Sequence, residues 1–192
     1  TMATVREGNQ TALLVVDVQV GVLAECWDTP SVIGNVSRTV EKARAAAVPV
    51  LWVQHSDHNL EHGSAPWQWV SGLAPGSSER VIDKHFNSSF EQTTLEEELA
   101  GLNVTHLVLA GAMTNWCIRA TAYGALERGY DVTLVEDAHS TNTTLLDDGT
   151  KIEAASVIHE LNIAMRWLRY PGRSNSVVNA HALVFVPLPL RA

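Results

Sequence analysis

The sequence predicts a three-layer α/β/α domain on a doubly wound, mostly parallel six-stranded sheet. Three observations predict it. Four apolar runs, "TALLVVDVQ" (11–19), "VPVLWVQH" (48–55), "VTHLVLAGA" (104–112) and "DVTLVEDA" (131–138), are continuous and rich in Val and Leu. Strands buried on both faces of a parallel sheet have that composition. Stretches of helical period lie between these runs, and no repeat or low-complexity tract interrupts the alternation. At 192 residues the chain suits one domain spanning 1–192, large enough to bury roughly 70% of its unfolded surface.

The run 11–19 is the first strand. Val32, Ile33, Val36, Val40, Ala43 and Ala47 then recur at spacings of three and four, which gives a helix one apolar face. The run 48–55 follows, and a shorter strand, "RVIDKH" (80–85), comes after the Pro/Gly/Ser-rich loop "APGSS". Thr94 with Glu97 reads as a capping box opening a short helix. After the run 104–112, a helix over 115–128 starts behind Thr114 and stops at Gly129, a C-cap glycine. After 131–138, a helix over 148–162 turns Ile152, Ala155, Ile158 and Leu161 inward. A sixth strand is expected near 164–169, and the end of the tail is read as a possible contact with a second subunit.

Composition excludes several function classes. The formal net charge is −8 and the 13 Lys and Arg are scattered, whereas a nucleic-acid partner leaves a basic stripe. The longest uncharged stretch, 101–118, carries Asn103, Thr105, His106, Thr114 and Asn115, too polar for a membrane span. Arg6, Glu7, Asn9 and Gln10 stand where a signal peptide places its apolar region, so a cytoplasmic location is expected. Thr1, ahead of Met2, reads as a cloning remnant. Cys26 and Cys117 make no disulfide framework and no zinc site, and a reducing compartment disfavours a bridge between them. No Gly-x-Gly-x-x-Gly turn follows the first strand, which counts against a nucleotide-binding module.

Ligands of open parallel sheets bind beyond the carboxyl ends of the strands, near the switch in strand order. Asp17 closes the first run, Lys84 closes the short third one, and Cys117 opens the helix after the fourth. Each has a plain reading by itself. Asp17 caps the N–H groups of a loop, Lys84 is a solvated strand-end charge, and Cys117 is a small core residue. Taken together they suggest chemistry, because a helix N-terminus and a nearby lysine lower a thiol's pKa and yield thiolate.

"LLVVDVQ", "VIDKHFNSSF" and "AGAMTNWCIRATA", in this order and spacing, resemble the isochorismatase-like cysteine hydrolases, a family that includes nicotinamidases and N-carbamoylsarcosine amidohydrolase. "VQHSDHNLEHGSAPWQ" and "GYDVTLVEDAHST" carry the resemblance over residues 10–165. It implies a catalytic triad of Asp17, Lys84 and Cys117, with a non-proline cis peptide between Ala112 and Met113. The N–H groups of Met113 and Cys117 would then converge as an oxyanion hole. The implied activity is hydrolysis of a C–N bond in a small amide, ureido or carbamoyl compound through a thioester. A homo-oligomer acting on a small molecule is implied as well. Isochorismate-type ether cleavage needs no cysteine nucleophile, so Cys117 tilts the reading away from it; a catalytically idle α/β scaffold is the third alternative.

Five further side chains are substrate-contact candidates: Gln19, His55, Trp67, Phe90 and Trp116. Gln19 either orients Asp17 on a shared strand face or bonds to a loop. Trp67 and Trp69 lie in a loop near the expected site. Phe90 is a pocket wall or a core residue, and Trp116 precedes the nucleophile. Asp137 and His139 at a strand end read as loop or capping groups, and Cys26 as inert. His55, Asp57, His58 and His62 crowd into eight residues and invite a metal reading. Nicotinamidases carry an Asp-x-His metal site after this strand, but here Asp57 and His58 are adjacent. No metal or cofactor is therefore expected, and nicotinamide is disfavoured as the substrate.

Overall fold

A computed structural model describes residues 4–191, so Thr1 and Met2 lie outside the described residues. Six strands form one parallel sheet: β1 (Gln10–Val16), β2 (Val50–His55), β3 (Arg80–Lys84), β4 (Val104–Ala112), β5 (Asp131–Ser140) and the edge strand Asn175–Val178. Their order is β3-β2-β1-β4-β5 and then the edge strand, with every neighbouring pair parallel. The order reverses between β1 and β4, which opens the crevice where such sheets bind ligands.

Both faces of the sheet are covered, which is why its strands are apolar without alternation. Ala12, Leu14 and Val16 of β1 pack with Leu95 and Leu99 of α3 (Leu95–Gly101), Ala122, Ala125 and Leu126 of α4 (Arg119–Glu127), and Leu161 and Met165 of α5 (Ala154–Trp167). Leu13 and Val15 face the other way, onto Val32, Val36, Val40 and Ala43 of α2 (Thr29–Ala45). A one-turn helix α1 (Val20–Leu23) joins β1 to α2.

The structure corrects the placement of the sixth strand and of the helix cap. The sixth strand is not near 164–169. Ala154, Ile158, Leu161 and Met165 are all buried, so helical period carries α5 through that segment, and the strand forms later, at Asn175–Val178 beside β5. The numbering is therefore β6 (Thr144–Leu145) and β7 (Lys151–Ile152), an antiparallel hairpin ahead of α5, and β8 for the edge strand. Thr94 precedes α3 without a side-chain cap. Its backbone is not in the extended conformation that aims an N-cap oxygen along the helix; Thr93 Oγ1 accepts the Leu95 N–H instead, at 3.3 Å. Parts of the tail are bonded to their own domain. Lys42 Nζ donates to the carbonyls of Ala180 and Leu183, each at 2.9 Å, and Gly8 and Arg191 exchange backbone hydrogen bonds of 2.9 and 2.8 Å.

One glycine is dictated by close approach at the switch point. Gly111 has φ +128°, and a Cβ placed on it would lie 2.0 Å from the Val16 carbonyl oxygen. Gly111→Ala is expected to destabilise the fold by about 2 kcal/mol or more, as backbone strain adds to the clash. Urea unfolding of the variant checks this; a change under about 0.5 kcal/mol would mean that β1 and β4 separate freely.

Candidate active site

Asp17, Lys84 and Cys117, distant in sequence, meet at the carboxyl edge of the sheet. Asp17 directly follows β1 and takes a left-handed backbone (φ 51°), which Asp tolerates better than most residues. Its amide stays tied to the sheet through the Val53 carbonyl at 2.9 Å. Lys84 is the last residue of β3, with its side chain fully buried. Its ammonium lies 2.7 Å from Asp17 Oδ2 and 3.2 Å from Cys117 Sγ. Cys117 sits in a π-helical turn, Thr114–Ile118, between β4 and α4. Ile118 N–H reaches back five residues to the Met113 carbonyl at 3.2 Å, and such turns recur at functional sites. The Ala112–Met113 peptide just before the turn is cis.

Electrostatic effects at the sulfur oppose one another. Burial and the Asp17 carboxylate push the Cys117 thiol up to about 12, against the opposing effect of Lys84. Burial raises the Asp17 pKa as well, although Lys84 works to lower it. For Lys84, burial favours the neutral amine, but Asp17 and Cys117 outweigh it and the pKa rises. The 2.7 Å contact between Lys84 Nζ and Asp17 Oδ2 pairs an ammonium with a carboxylate, and burial favours the protonated thiol beside them. Asp17 Oδ1 is buried and makes no hydrogen bond of good geometry among the described residues, which leaves it with acceptor capacity to spare. A carboxylate made more basic by burial, next to a protonated thiol, is arranged for proton transfer.

A second layer holds the turn that carries Cys117. Thr114 Oγ1 lies 2.8 Å from His139 Nδ1, and His139 Nε2 lies 2.9 Å from Asn162 Oδ1. The Asn162 amide donates to the Glu136 carbonyl at 3.0 Å, which fixes its oxygen toward His139. His139 is then the Nε2–H tautomer, and its Nδ1 accepts from Thr114. Asn115 Oδ1 accepts from Thr141 at 2.7 Å. Sequence reasoning placed His139 at a strand end but had no signal for Asn162, which lies on a helix from another part of the chain.

Burial holds the His139 pKa down at about 4. As pH falls, the unfolded chain protonates this imidazole first, near 6.5, so stability present above that pH is lost toward pH 4. The loss amounts to about 3 kcal/mol. The difference in unfolding free energy between wild type and His139→Gln, measured at pH 7 and at pH 4.5, should shrink by most of that amount. A constant difference would contradict the neutral buried assignment.

The other candidates separate. His55 Nδ1 stands 3.1 Å from Lys84 Nζ, so it joins the cluster of Asp17, Lys84 and Cys117. Trp116 is half exposed directly beside Cys117. The Trp67 ring lies against His62 at a 45° tilt with centroids 4.3 Å apart, and its carbonyl accepts the amides of Gln19 and Gln54 at 2.9 and 3.0 Å. Gln19 is bonded to the loops, the second of its two readings. The strand ends at Val16, and the fully buried Gln19 side chain spends its amide on His55 and Trp67 main chain. Phe90 is likewise a core residue, buried and stacked on Tyr130 at 5.9 Å with the Arg128 guanidinium 4.9 Å away. Bonds from Ser89 to Thr121 tuck that segment against α4. Both cysteines are free. Among the described residues no group of three His, Cys, Asp or Glu could hold a metal ion, and no helix is long and apolar enough to cross a membrane.

Comparison with known proteins places this geometry. The isochorismatase domain model matches residues 11–158. An uncharacterized isochorismatase family protein of Bacillus subtilis is 34% identical over 159 residues, 78% of this chain and 87% of that protein. N-carbamoylsarcosine amidase of an Arthrobacter species is 28% identical over 154 residues, covering 64% of this chain and 56% of the amidase. The crystal structure of an isochorismatase from Pseudomonas putida superposes with a TM-score of 0.81 at 27% identity, over 91% of this chain and 90% of that one.

Proposed function

The chain belongs to the isochorismatase family, and from that premise we propose that it hydrolyses a C–N bond of a small amide, ureido or carbamoyl compound through a thioester on Cys117. The observation that carries the reading is the buried ammonium of Lys84 set between the Asp17 carboxylate and the Cys117 sulfur, at 2.7 and 3.2 Å. Similarity to N-carbamoylsarcosine amidase supports the bond type.

Asp17 takes the thiol proton, and Lys84 faces the thiolate that results. The sulfur attacks the carbonyl carbon, and the oxyanion is received by the Met113 and Cys117 N–H groups. Asp17 returns its proton to the departing nitrogen, which leaves as ammonia or an amine. Amides need that proton because an amide anion is a very poor leaving group. Water activated by the same carboxylate then attacks the thioester, releasing the acid and restoring the thiol.

Ammonia or amine release from a panel of primary amides, ureas and carbamoyl amino acids tests this. Release from at least one class is expected. Activity confined to a vinyl ether would replace the reading with ether hydrolysis, and inertness across both chemistries would favour the idle scaffold.

A further inference from the structure

Four acceptors surround the Lys84 ammonium, which has three hydrogens to give. Asp17 Oδ2 lies at 2.7 Å, His55 Nδ1 and the Phe86 carbonyl each at 3.1 Å, and Cys117 Sγ at 3.2 Å. Two of the four are fixed. The Phe86 oxygen belongs to the main chain. His55 is held from behind, its Nε2 3.1 Å from Asp57 Oδ2, while Asp57 Oδ1 accepts the N–H groups of Asn59 and Leu60 at 2.8 Å each. An ammonium only donates and a carboxylate only accepts. The imidazole between them is therefore neutral, with its hydrogen on Nε2 and a bare Nδ1 toward Lys84.

We propose that His55, oriented by Asp57, is a positioning residue that permanently occupies one Lys84 N–H and so leaves a single N–H for Asp17 and Cys117 to share. It rests on the triad acting as described above. At rest the shared N–H goes to Asp17 Oδ2 and the sulfur keeps its proton. When that proton passes to Asp17, the same N–H turns to the thiolate. One anion faces one cation before and after, so thiolate formation is tied to protonation of the group that later serves the leaving nitrogen. Without His55, Lys84 has an N–H for each partner. The sulfur then ionises to solvent while Asp17 stays unprotonated.

Iodoacetamide alkylation of Cys117 in the full chain at pH 7.5, followed by mass spectrometry with Cys26 as internal reference, needs no substrate. His55→Leu is expected to alkylate about three- to tenfold faster, because a freed charge-assisted N–H raises the thiolate fraction more than the lower pKa reduces nucleophilicity. His55→Gln keeps an acceptor oxygen and should stay near wild type. Asp57→Asn keeps the bonds to Asn59 and Leu60 but presents an N–H to His55, forcing its hydrogen onto Nδ1. It should also accelerate alkylation, and it should add nothing in the His55→Leu background. Wild-type or slower alkylation in His55→Leu would overturn the proposal, as would an Asp57→Asn effect of equal size in both backgrounds. Undiminished amide turnover in Cys117→Ala would instead remove the triad reading itself.

Discussion

Cys117→Ala is expected to lose amide turnover by about 10⁴-fold or more while the fold persists, since deleting a nucleophile removes the covalent route entirely. Cys117 is only partly buried and the change to Ala is small, so the stability effect should stay near 1 kcal/mol. Activity and stability then separate in one variant. Ammonia release by wild type and variant, alongside thermal unfolding, measures both. Cys26→Ala is the control: that thiol donates to the Val22 carbonyl at 3.3 Å, away from the triad, and its loss should leave turnover within about twofold. Full turnover in Cys117→Ala would end the covalent mechanism.

Lys84→Met has the largest expected effect on stability. Asp17 and Lys84 are both essentially inaccessible to solvent. Removing the cation leaves a buried carboxylate without its partner, which costs about 3–5 kcal/mol. Protonation of Asp17 limits the loss, and its already raised pKa eases that escape. Asp17→Asn added to Lys84→Met removes the remaining charge and should recover about half or more of the stability. Neither protein should hydrolyse amides, because the double variant restores packing and not chemistry. Urea denaturation of wild type, both single variants and the double variant completes the cycle. A double variant no more stable than Lys84→Met would mean that charge pairing is not what holds these groups.

Much of the fold was legible because its causes are local or periodic. Runs such as LLVV and LVLA announce strands that bury both faces, and Val32, Val36 and Val40 announce the α2 stripe. Asp17, Lys84 and Cys117 could be placed at one sheet edge because parallel topology sends every strand end to the same side. Their distances were not legible. They depend on the Asp17 left-handed turn and on the π turn around Cys117, and neither leaves a compositional mark. The segment 164–169 alternates apolar residues with Arg166 and Arg169 and suits a strand or the last turn of a helix; Met165, buried on the α5 stripe, makes it helix. The balance of effects on the thiol was not legible for a related reason. Sequence supplies the neighbouring lysine and carboxylate but not the depth of burial, the largest effect raising the Cys117 pKa. Phe90 and Gln19 show the same limit, since core and pocket are distinguished by what packs on the residue and not by its type.

The central claim is that the Cys117 sulfur becomes covalently bonded to the acyl carbon while nitrogen departs. Acid quenching of wild-type protein during turnover of a slow amide, followed by mass spectrometry of its peptides, tests this most directly. The account predicts a mass increase equal to the acyl group on the peptide containing Cys117, lost on treatment with hydroxylamine. Turnover at full rate with that peptide unmodified, or with the acyl group on another residue, would contradict it.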